Sequence, residues 1–219
     1  MGQLLTANVA TNLYWFGRYL ERVESTLIEI IRVFDETIDV DKDAGVKFYK
    51  SLGIDIKYDN AITFLDSAVF GKHNGNLNDI LKFARENAII SRSYINTEAF
   101  GEVIKLCELF QKSSKVTCCI DHHFIDQALS LISEIWGGLT QKQHREKSDY
   151  FIRLGKLVEK ADFHLRLDRD KEFALIVLDE IDSIVHKLAP NASFRNHLYS
   201  DKKTIIESIN KKIDKIVVE

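Results

Sequence analysis

Residues 8–38 read NVATNLYWFGRYLERVESTLIEIIRVFDETI. The apolar residues Leu13, Phe16, Leu20, Val23, Leu27, Ile30 and Phe34 return at alternating steps of three and four. That spacing places them on one stripe of a long amphipathic helix, and the stripe predicts a core on one side only. The polar, acidic stretch 39–43 ends the helix. Proline supports the same reading elsewhere: the 219 residues hold one, Pro190, beside ten glycines. Proline breaks helix interiors, so its near-absence leaves long helices unobstructed, whereas sandwiches and barrels use more of both residues in turns. The expected fold is all-α, a helical bundle forming a single domain over 1–219 without an internal linker.

Working outward, a short helix follows Asn60, and Asn76 or Asn78 caps a helix carrying Leu77, Ile80, Leu81, Ala84 and Ala88. Further helices are expected over 97–110, 115–136, 146–168, 171–188 and 201–217. Gly137-Gly138 is a natural stop for the second of these, and Pro190 follows the fourth. Residues 45–60 mix a strand-like alternation (Ile54, Ile56, Tyr58) with helical spacing (Phe48, Tyr49, Leu52), and are read as irregular.

Thirty basic against 33 acidic residues give a net charge of -3. Phosphate contacts need a cationic excess, so a strongly basic nucleic-acid binder is not expected. No apolar run approaches the ~20 residues of a membrane span, and the N-terminus shows no secretory pattern. Three cysteines are too few for a disulfide scaffold, so reduced thiols in the cytoplasm are expected.

The first helix is repeated. Shifted by 138 positions, from 13 to 151, Leu13, Phe16, Leu20, Val23 and Leu27 fall on Phe151, Leu154, Val158, Ala161 and Leu165. The polar positions follow: Gly17 on Gly155, Arg18 on Lys156, Glu21 on Glu159, Arg22 on Lys160, Glu24 on Asp162. On a helix the glycine and the two acids line one side of the apolar stripe, and the bases form the neighbouring row. A mid-helix glycine costs ~1 kcal/mol relative to alanine. Two at equivalent places point to close approach by a backbone or a ligand. Either the two helices merely share a packing mode, with their charges in surface ion pairs, or the charges flank a polar groove that holds something zwitterionic, such as a peptide or amino-acid end.

The stretch from Asn12 to Glu24, with its Glu21-Arg22 pair, resembles the opening motif of the bacterial alpha-E domain family. Phe83-Ala84-Arg85-Glu86-Asn87-Ala88, with Arg92, resembles that family's central motif, and 151–162 its second Glu-Arg helix. Here Lys156 and Lys160 replace the family's arginines, keeping the charge but losing the bidentate fork. The resemblance implies a helical fold and company with circularly permuted ATP-grasp ligases and transglutaminase-like peptidases. It therefore implies ATP-dependent formation and trimming of a small peptide or peptide tag. The expected role is a non-catalytic accessory or substrate-holding partner of the ligase. Arg18, Arg22, Lys156 and Lys160 would then attract carboxylates or fix the acids, while Glu21, Glu24, Glu159 and Asp162 receive an amine or organise the bases. The alternative is an enzyme acting on a peptide or amide through a buried Glu as general base.

Arg85, Asn87 and Arg92 crowd one helix with groups able to hold a carboxylate or phosphate. Cys118, Cys119, His122 and His123 have spacing that lets each Cys–His pair share a helix face, but a zinc site needs further ligands. A dinuclear centre uses Glu-x-x-His on two helices, whereas Glu24 and Asp162 occupy the histidine positions. No metal or other cofactor is expected. No phosphate-binding glycine loop or Gly-x-Ser-x-Gly elbow is present.

Overall fold

The computed structural model describes residues 5–115, 120–140, 146–169 and 171–190, together with residues 207, 211, 213 and 216. Among these residues there are eight α-helices and no strand: α1 Ala7–Asp39, α2 Ala44–Ser51, α3 Ala61–Phe70, α4 Leu77–Ile90, α5 Thr97–Ser113, α6 His122–Thr140, α7 Lys147–Arg166 and α8 Lys171–Leu188. The four single residues described near the C-terminus are helical, and Ile213 is buried against the core. The rest of the expected final helix lies outside the described residues.

The axis of the bundle is α1, whose 33 residues span about 50 Å at 1.5 Å per residue. Thr6 caps it, its hydroxyl accepting from the Val9 amide. The stripe from Leu13 to Ile30 is wholly buried, and only Phe34, near the far end, is half-buried. The most extensive packing of α1 is against α7 and then α4, while α5 pairs with α6 and α8 covers α7. The repeated stripe of α7, Phe151, Leu154, Val158, Ala161 and Leu165, is buried as well. Both copies of the motif therefore meet in the middle of the fold.

Two sequence expectations are corrected. The glycine pair does not stop α6, which continues to Thr140. Gly138 lies against α5, where an added Cβ would come within 3.1 Å of the Ala99 Cβ. A packing contact outweighs a propensity cost of ~1 kcal/mol per glycine. The irregular stretch is half helical: α2 forms because Phe48 and Tyr49 reach the core from adjacent positions, and the chain beyond it is irregular until Asn60 caps α3 through the Thr63 amide. No helix among the described residues is long and apolar enough to cross a membrane.

Candidate functional site

The motif helices touch at their glycines. A Cβ on Gly17 would stand 2.2 Å from the Ile152 carbonyl oxygen, and one on Gly155 would stand 2.0 Å from the Tyr14 carbonyl oxygen. Tyr14 and Ile152 are themselves equivalent under the 138-residue shift, so the two contacts are reciprocal. The crossing therefore has approximate two-fold symmetry, and the absent side chains let two helix backbones meet directly.

The charges follow the same symmetry. Arg18 reaches across to Glu159 through Nε (2.9 Å) and Nη2 (2.7 Å), and stands 3.8 Å from Asp162. In the equivalent places Lys156 stands 3.7 Å from Glu21 and 3.9 Å from Glu24. They are not the surface ion pairs of the first sequence alternative, because Arg18, Glu21, Glu159 and Asp162 are all buried. Burial makes the quality of pairing decisive, since a buried charge is tolerated only when well partnered.

By that measure the halves differ. On the arginine side, Arg22 Nε donates to the second Glu159 oxygen at 2.5 Å, and Arg166 Nε bridges both Asp162 oxygens at 2.9 and 3.0 Å. On the lysine side, Lys160 turns its ammonium over the Phe173 ring, 5.4 Å from the centroid. Ser25 donates to Glu21 Oε1 at 3.1 Å, but Oε2 is buried with no hydrogen bond to a described residue. Trp136 of α6 closes this side: its indole N–H donates to Glu24 at 2.7 Å, and Lys156 Nζ lies 3.8 Å from a ring centroid. Lysine is a point charge without arginine's fork, so it neutralises its acids at a distance without bonding them.

The acids respond in opposite directions. Burial pushes the Glu21 carboxyl up, as does nearby Glu24, and the attraction of Lys156 and Lys160 only partly restrains it, leaving it at about 7. Burial pushes Glu159 up too, but the charges and hydrogen bonds of Arg22 and Arg18 outweigh it and hold the carboxyl below its usual value. For Glu21 the folded chain binds the proton more tightly than the unfolded one, so stability falls as pH rises from about 4.5 to about 7. Replacing Glu21 by Gln is therefore expected to leave the melting temperature unchanged near pH 4.5. At pH 8 it should stabilise the protein by up to about 3 kcal/mol. Calorimetry across that range checks it; a loss of stability at pH 8 would contradict it.

Lys156 also borders a cavity of about 310 Å³, walled by Trp136, Leu139, Ile152 and Leu157 and edged by Asp149, Arg153 and Glu180. Arg153 and Glu180 pair with each other there. The Lys156 ammonium makes no hydrogen bond to a described residue while facing this space. Glu21 lies behind it.

Eight of the motif residues named from sequence thus converge on one crossing, seven of them in five direct ion pairs between the helices. Arg85, Asn87 and Arg92 do not join them. Arg85 pairs with its neighbour Glu86, Arg92 lies over the Phe100 ring at 5.0 Å, and Asn87 is half-buried on α4. Cys118 and Cys119 lie outside the described residues; His122 packs edge-on against Phe34 and His123 bonds Gln127. Sequence reasoning missed Arg166 and Ser25, and weighed Trp136 as a ligand platform but took it for a core aromatic. Trp136 comes from a helix that carries no motif, and no local pattern marks it. Arg166 stands one helical turn beyond Asp162, a signal that i,i+4 pairing does supply.

The crossing brings together Glu21-Arg22 and its counterpart, Glu159-Lys160. No curated protein and no solved structure matches the chain. A family model, Alpha-E, described as a predicted alpha-helical domain with a conserved ER motif, matches residues 5–202. Its span covers both motif helices and everything between them, and the chain belongs to this Alpha-E family.

Proposed function

We propose that the protein is a non-catalytic, substrate-holding component of an ATP-grasp-dependent system that synthesises a peptide or attaches one as a tag. The α1–α7 crossing would grip a charged end of the peptide or amino acid. The observation that carries this reading is Lys156: an ammonium with no hydrogen bond to a described residue, beside two acids and bordering a cavity of about 310 Å³. A bound carboxylate would take the N–H donors that Glu21 and Glu24 leave unused. Asp149 and Glu180 would face an amine, and the Trp136, Leu139, Ile152 and Leu157 walls would cover its carbon skeleton. A largely apolar pocket with a few placed polar groups is the usual form of a small-ligand site.

The ligase setting rests on the family resemblance. Its test is purification of the tagged protein from its native cells at low salt, followed by mass spectrometry, with Lys156→Met alongside. The expected result is an ATP-grasp ligase or its peptide recovered with the wild type and lost with a variant that still melts normally. Recovery of the protein alone in both preparations would overturn the reading.

One observation favours a second reading, the Glu general base. A carboxyl held at about 7 is poised to accept a proton near neutral pH. That reading requires turnover of a peptide or amide whose pH profile rises through about 7 and disappears in Glu21→Gln, with peptide binding retained.

A further inference from the structure

The arginine half of the crossing opens on a different cavity. It measures about 250 Å³ and lies between α1, α7, the end of α2 and the 71–76 turn; Arg22, Arg166, Tyr49, Asn74, Glu159 and Asp162 are among its walls. Arg22 and Arg166 each turn only Nε to a carboxylate. Their terminal nitrogens donate to no described residue, and their side chains are 37% and 43% exposed, so these donors are available at the mouth.

Two further facts give this space a sign and a depth. Two guanidiniums (Arg22 and Arg166) and two carboxylates (Glu159 and Asp162) wall the cavity, and Arg18, which reaches both acids from outside the lining, adds one positive charge. Tyr49 is fully buried, and its hydroxyl has no hydrogen-bond partner among the described residues. A buried polar group without a partner is costly and uncommon in a native protein. Burial also raises the phenol's pKa, keeping it protonated and able to donate. Aromatic edges of Phe48, Phe64 and His73 hold the ring in place, so the hydroxyl is fixed.

We propose that this cavity binds the carboxylate of a small organic acid, with the terminal nitrogens of Arg22 and Arg166 forming the planar clamp and the Tyr49 hydroxyl donating from the inner wall. The surrounding bases suit an anion, and guanidinium forks match a planar carboxylate. This is independent of the ligase reading and concerns a cavity that Lys156 does not border.

The test is a titration of the ¹⁵N-labelled full chain with acetate, succinate and inorganic phosphate at low chloride, following the arginine Nε–Hε signals. The carboxylates are expected to shift Arg22 and Arg166 saturably, succinate at least as tightly as phosphate. Arg166→Gln should abolish the effect. Tyr49→Phe should weaken it about tenfold, as expected for one hydrogen bond to a charged group, and should leave the ligand-free melting temperature unchanged or higher. The absence of a saturable shift, tighter binding of phosphate than of succinate, or equal affinity in Tyr49→Phe would each overturn the proposal.

Discussion

A Gly155→Ala protein is expected to lose at least about 3 kcal/mol of stability, a drop in melting temperature of the order of 6–12 °C for a chain of this size. The new methyl would sit 2.0 Å from the Tyr14 carbonyl oxygen and 2.9 Å from the Arg18 amide nitrogen. Both obstacles are backbone, so no side chain can rotate away. α1 and α7 must separate, and the crossing that aligns Arg18 with Glu159 separates with them. Gly17→Ala should behave alike, since its Cβ would meet the Ile152 carbonyl oxygen at 2.2 Å. Gly101 and Gly137 supply the control: both are helical, and a Cβ at either meets nothing within 4 Å. There alanine should gain up to ~1 kcal/mol from helix propensity alone. Thermal melts of the four variants check this; equal behaviour at all four positions would show that the backbones do not touch at the motif glycines.

The second large effect is Glu159→Gln, expected to cost about 3–5 kcal/mol, the usual penalty for removing one partner of a buried charge cluster. Glu159 takes hydrogen bonds from Arg18 and Arg22 on its two oxygens. An amide presents one acceptor and one donor, so one guanidinium would face an N–H and Arg18 would remain buried with only distant Asp162. Glu159 titrates below its ordinary value, so its stabilising contribution is complete above about 4.5 and is lost as the pH falls through the lower folded value. The variant should thus be worst at neutral pH. Glu21→Gln, at the equivalent position, should be stabilising there. Opposite signs at equivalent sites are the mark of a symmetric backbone carrying an asymmetric set of bases.

Much of the fold was legible because helices announce themselves locally. The stripe from Leu13 to Ile30, the helix following Asn60, the cap read at Asn76 or Asn78 and found at Asn76, and the 138-residue repeat all depend on residues close in sequence. The glycines signalled a close approach, by a backbone or a ligand, because glycine in mid-helix is unfavourable without a neighbour to accommodate; that the neighbour is the other motif helix came only from the structure. The Gly137-Gly138 stop failed because Gly138 too accommodates a neighbouring helix, at Ala99 of α5, a contact that no repeat in the sequence signals. At the site, the replacement of arginine by lysine was visible in the sequence, but its consequence was not. The shift of Glu21 arises from burial by α6 and α7 together, and Trp136, which closes that side, is 112 residues from the Glu24 it bonds.

The asymmetry of the crossing is tested most directly by a ¹³C-detected carboxyl titration of the folded protein, with Glu21 and Glu159 assigned by their Gln variants. Glu21 should titrate at about 7, and Glu159 should remain ionised well below the ordinary glutamate range. If the two carboxyls titrated together near 4.5, the lysine half would be as well neutralised as the arginine half, and the crossing would carry no electrostatic asymmetry.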